Sequence, residues 1–61
     1  MSAHQSLLNW LHEHPQYEMR QHCLNNRWCI TMFHVNGFRY RVAFGDSFES
    51  ACFNLIKCLP Q

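Results

Sequence analysis

The sequence predicts an α+β fold of order α-β-β-β-α: a three-stranded antiparallel sheet with two helices packed on one face, in a single domain over residues 1–61. Three observations carry this. Asn36-Gly37 separates two runs rich in β-branched and aromatic residues, 27–35 and 38–44, which is the strongest short-range hairpin signal. Leu7, Leu8 and Leu11 stand at helical spacing ahead of the hairpin. Ala51, Leu55, Cys58 and Leu59 form a second helical stripe behind it. Each apolar stripe needs a partner layer, so both helices are expected on the same side of the sheet.

The first helix is expected over residues 6–14, with Ser2 or Gln5-Ser6 near its start. Pro15 ends it, because the residue before a proline is pushed out of helical geometry. From Tyr17 to Cys23 apolar and polar residues alternate: Tyr17 and Met19 against Glu18, Arg20 and His22. That pattern fits a half-buried strand. Leu24-Asn25-Asn26 is expected to turn the chain into the hairpin.

The hairpin has two competing registers. A two-residue turn pairs Val35 with Phe38 and leaves Trp28, Ile30 and Met32 on the exposed face. A three-residue loop, Val35-Asn36-Gly37, ends in a left-handed glycine and pairs His34 with Phe38. This second register is preferred, because it yields one apolar face and one mixed face. Trp28, Ile30 and Met32 then lie with Tyr40, Val42 and Phe44, and Cys29, Thr31, Phe33, Arg39, Arg41 and Ala43 lie opposite. Gly45-Asp46-Ser47 breaks the last strand. Ser47 is the expected N-cap of the second helix, with Glu49 in its first turn, Lys57 near its end and Pro60 as its stop. The expected core is Leu8, Leu11, Tyr17, Met19, Trp28, Ile30, Met32, Tyr40, Val42, Phe44, Ala51, Leu55 and Leu59.

A chain of 61 residues buries a modest share of its surface and is marginal alone. Only 15% of its residues are charged, below the usual quarter or so, which favours association. A net charge of +1 does not mark a nucleic-acid or membrane surface. No apolar run is long enough to span a membrane. Residues 1–5 lack the pattern of a secretion signal, and an intracellular, cytoplasmic location is expected. Cys23, Cys29, Cys52 and Cys58 include no close pair of the kind zinc requires, and without a secretion signal disulfides are disfavoured. They read as structural thiols, with Cys52 and Cys58 filling space on a helix. No metal or other cofactor is expected. Catalysis has no support either: His22 and Cys23 are strand neighbours and point to opposite faces.

With these elements in place, four segments resemble the double-stranded RNA-binding domain. Ser6-Leu7-Leu8-Asn9 is similar to that family's first-helix pattern, and Pro15-Gln16-Tyr17-Glu18 to its entry into strand one. Residues 27–32 resemble its second strand, and Gly45-Asp46-Ser47 with Ala51 the start of its last helix. The resemblance implies the same element order. It does not extend to the RNA-contacting positions: Phe48, Glu49 and Cys52 stand where the family carries lysines, and Trp10 stands where it carries an acidic residue. Phosphate contacts dominate duplex affinity, so the resemblance implies a fold without its usual grip. The segment 45–51 is also similar to the strand-to-helix segment of HicB-type antitoxins and small phage-encoded domains.

The expected activity is protein-protein binding, as a homodimer, adaptor or small inhibitor, through Trp10, Phe48, Cys52 and Ile56 on the helices. A second surface, on the sheet and its edge, comprises Arg20, His22, Phe33, Arg39 and Arg41. It suits either strand addition or weak binding of nucleic acid.

Overall fold

The computed structural model describes residues 2–59. Its elements run α1 (Ala3–Glu13), β1 (Tyr17–Leu24), β2 (Arg27–His34), β3 (Arg39–Gly45) and α2 (Phe48–Lys57). The strands form one antiparallel sheet in the order β1-β2-β3. The fold is the α+β arrangement expected, and its element order is compatible with that of a double-stranded RNA-binding domain. Pro60 lies outside the described residues.

α1 starts three residues earlier than its apolar spacing indicates. Ser2 caps it by accepting from the Gln5 amide at 3.0 Å, so the cap rather than the first leucine marks the boundary. Leu7 is completely buried, whereas Leu8, an expected core residue, is exposed. α2 begins as read: the Ser47 hydroxyl accepts from the Ser50 amide at 3.1 Å. Cys58, expected on the buried stripe, lies beyond the helix and is exposed, while Cys52 is fully buried. All four cysteines are free thiols. No helix among the described residues is long and apolar enough to cross a membrane.

The β1–β2 turn is tighter than expected. Asn25 and Asn26, at φ 52° and 63°, make a two-residue turn, and Leu24 already pairs with Arg27. Asparagine tolerates the left-handed region that such a turn demands at both positions. The β2–β3 turn is the three-residue loop: the His34 amide donates to the Phe38 carbonyl at 3.0 Å, and Gly37 is left-handed at φ 100°.

Phe33 then pairs with Arg39, and there the expected register ends. A bulge admits Tyr40 as an extra residue, so Met32 faces Arg41, Ile30 faces Ala43 and Trp28 faces Gly45. This corrects four placements. Val42 and Phe44 are not core; they lie on the open side, 36% and 46% exposed. Ala43 and Arg41 lie on the helix side. The reason is the closeness of α2. A Cβ on Gly45 would stand 2.4 Å from the Ala51 backbone nitrogen, so only the smallest residues fit beneath the helix. Without the bulge, Val42 and Phe44 would occupy that layer.

The core is Leu7, Ile30, Met32, Ala43, Ala51, Cys52, Leu55 and Leu59, flanked by Leu11, Tyr17, Met19, Trp28 and Tyr40. The Asn54 side-chain amide donates to the Phe44 carbonyl at 2.7 Å and ties α2 to β3. The Ala3 amide donates to the Glu49 carboxylate, joining the first turns of the two helices. The shortest dimension of the backbone is 14 Å, the thickness of one sheet and one helical layer, so the far face of the sheet is uncovered.

Candidate functional site

The uncovered face follows from the pairing. Residues directly opposite across an antiparallel ladder share a side. The open side therefore carries Glu18, Arg20, His22 and Leu24 from β1, Arg27, Cys29, Thr31 and Phe33 from β2, and Arg39, Val42 and Phe44 from β3. Its centre is apolar. Cys29 and Thr31 are buried between their neighbours, their side chains 3.9 Å apart, and Val42 and Phe44 stand beside them.

Arginines frame that centre. The Arg20 guanidinium lies 5.3 Å from the Phe33 ring centroid, and the Arg27 guanidinium 5.4 Å from that of Phe44. Each such contact at an exposed site is worth on the order of 0.5–1 kcal/mol, enough to orient the side chain but not to immobilise it. Arg39 is exposed at the far corner, opposite Phe33. Among the described residues Glu18 is the only carboxylate on this side, 3.7 Å from Arg20. The other acidic residues, Glu13, Asp46 and Glu49, sit on the helices or in the loop before α2. The open face therefore carries a concentrated positive charge that the overall charge of +1 conceals.

Of the sheet residues singled out in the sequence, Arg20, His22, Phe33 and Arg39 share this face. Arg41 does not. It is turned to the helix side by the bulge, where its Nε donates to the Cys58 carbonyl at 3.4 Å just past the end of α2. Leu24, Arg27, Val42 and Phe44 belong to the face and were not singled out. Arg27 was legible, since it lies at the same parity as Phe33; Val42 and Phe44 were hidden by the bulge.

The helical candidates do not form one exposed patch. Cys52 is fully buried, and burial together with the neighbouring Glu49 carboxylate pushes its thiol pKa up. Phe48 is part-buried between Trp28 and His4, at ring-centroid distances of 5.5 and 4.8 Å. Ile56 packs against the core. Trp10 stacks on His14 at 3.9 Å and tilts against Tyr17 at 5.4 Å. In a domain this small these large residues complete the core, and a surface role for Cys52 is corrected.

His22 lies opposite Cys29 on the open side, and Cys23 opposite Trp28 on the other, so the adjacent pair is split across the sheet. Among the described residues, no group of three or more His, Cys, Asp or Glu side chains is placed to hold a metal ion. No protein-family model, curated protein or solved structure matches this chain.

Proposed function

We propose that the chain is a non-enzymatic binding module that docks a protein partner on the open face of its sheet. The observation that carries this reading is the exposure of Val42 and Phe44 in an apolar centre framed by Arg20, Arg27 and Arg39. An apolar centre with an arginine rim and no lysine has the composition of a protein interface. The partner's complementary surface is acidic at its edge and apolar in the middle.

The α-β-β-β-α order and the four matching segments support kinship with double-stranded RNA-binding domains. The helical side does not support that family's manner of binding. Phe48 packs into the core margin, Glu49 accepts the Ala3 amide, and Cys52 is buried, so all three positions serve the fold.

A second reading is favoured by the paired Arg-Phe contacts. Single-stranded nucleic acid stacks its bases on rings and guanidinium planes of such a face. One experiment separates the two. The immobilised wild-type chain and a Phe44→Glu variant are compared for capture of proteins from a lysate and of single-stranded oligonucleotides, across a salt series. A protein held by wild type, lost with Phe44→Glu and weakened by salt supports the proposal. Equal capture by both chains rejects it, and salt-steep retention of oligonucleotide alone replaces it with the second reading.

A further inference from the structure

The sheet has two edges, and they are built differently. β3 is interrupted by its bulge and is packed against α2. β1 pairs with β2 over eight consecutive residues without a break and contains no proline. Among the described residues its outer edge is paired with no other strand. A straight, unpaired edge is a template for another strand.

The backbone groups aimed outward can be identified. The Val35 amide donates to the Gln16 carbonyl at 2.8 Å, which makes Gln16 and Val35 a hydrogen-bonded pair in line with the β1–β2 register. Bonded and non-bonded pairs alternate along such a ladder. Glu18, Arg20 and His22 therefore turn their amides toward β2, and Met19, Gln21 and Cys23 turn theirs to the free edge. An added antiparallel strand must align its own outward residues with these.

The charges select both the strand and the register. We infer that β1 pairs antiparallel with β1 of a second copy, centred on Met19, to form one six-stranded sheet. In that register Glu18 lies opposite Arg20 of the partner copy, twice by symmetry, and Tyr17 lies opposite Gln21. The flanking register on one side sets Arg20 against Arg20, and on the other Glu18 against Glu18. Like charges directly opposite are destabilising, and opposite charges at non-bonded pairs are favourable. A single-sign edge would repel its copy; a Glu-x-Arg edge is self-complementary about the residue between them. The contact is isologous, so it closes at two copies. Both open faces then lie on the same side of the joined sheet, doubling the docking surface.

Sedimentation of the full chain over a concentration series tests this. Wild type is expected to show a reversible monomer-dimer equilibrium. Gln21→Pro removes an outward amide that β2 does not use, and is expected to remain monomeric with its thermal transition retained. Glu18→Arg weakens the dimer about tenfold, and Arg20→Glu does the same, because each sets like charges opposite one another. The double variant Glu18→Arg with Arg20→Glu restores the wild-type constant. A wild type that stays monomeric throughout overturns the inference. So does a dimer that survives Gln21→Pro, or a double variant as weak as the singles. Because Gln21 lies off the open face, loss of dimer in Gln21→Pro with Phe44-dependent capture intact keeps this question separate from the docking proposal.

Discussion

Ala43 and Phe44 are sequence neighbours on one strand, yet one is 6% exposed beneath α2 and the other 46% exposed on the opposite side of the sheet. The contrast extends over both faces. The covered side is ruled by distance: Gly45, Ala43 and Ala51 let the helix approach so closely that one added carbon collides with its backbone. The open side has no such limit and keeps large rings and long cations, arranged in rows by the pairing register. Where α2 crosses β3, steric demand chose the covered residues, and its requirement for small side chains there left Val42 and Phe44 on the other face. The proposed docking surface is thus partly a consequence of how the core closes.

The sharpest way to break that contrast is to remove volume from the covered side. Leu55→Ala is expected to cost about 3–4 kcal/mol by the burial and cavity terms, a large share of the stability of a domain this size. Urea denaturation reads it, and a loss below about 1 kcal/mol would mean that the helical layer is not the core. Adding volume is the second test. Gly45→Ala should cost about 2–3 kcal/mol, because the new methyl meets backbone rather than a movable side chain.

A smaller effect comes from Cys52. Its pKa is raised above the ordinary thiol value of 9.0 by burial first and Glu49 second, so the folded state holds the neutral thiol where the unfolded chain would ionise. The stability this provides is full below the unfolded pKa and is lost as pH rises through the folded one. Wild type should therefore lose more stability than Cys52→Ala between neutral and strongly alkaline pH, and equal slopes would count against the burial. In the same spirit, a thiol reagent should modify Cys23 and Cys58 rapidly and Cys29 and Cys52 only on opening. The smallest effect belongs to the open face. Phe44→Ser is expected to change stability by no more than about 0.5–1 kcal/mol while abolishing capture of the partner. A large destabilisation would show that the ring serves the fold instead.

Both turns, both helices and all three strands were legible in the residues. Asn36-Gly37 indicated the three-residue loop, and Ser47 the start of α2. The boundary of α1 was less so, since Ser2 caps five residues ahead of the first leucine, and burial falls on Leu7 rather than Leu8. At the candidate site, Arg20, His22, Phe33 and Arg39 could be read from strand alternation alone. Arg41, Val42 and Phe44 could not. Alternation assumes an unbroken ladder, and one inserted residue inverts every side chain beyond it.

Local patterns in the chain established where it turns, which segments are helical or extended, and that one side of the sheet must be covered. Those choices rest on backbone preferences and spacing over a few residues. Which side of β3 is covered, and so which residues remain on the open face, came only from packing α2 against the sheet. That choice depends on the clearance between Gly45 and Ala51, six positions apart in sequence and forced together by the fold. No local pattern encodes a distance between elements, and here that distance moved Val42 and Phe44 out of the core and onto the surface.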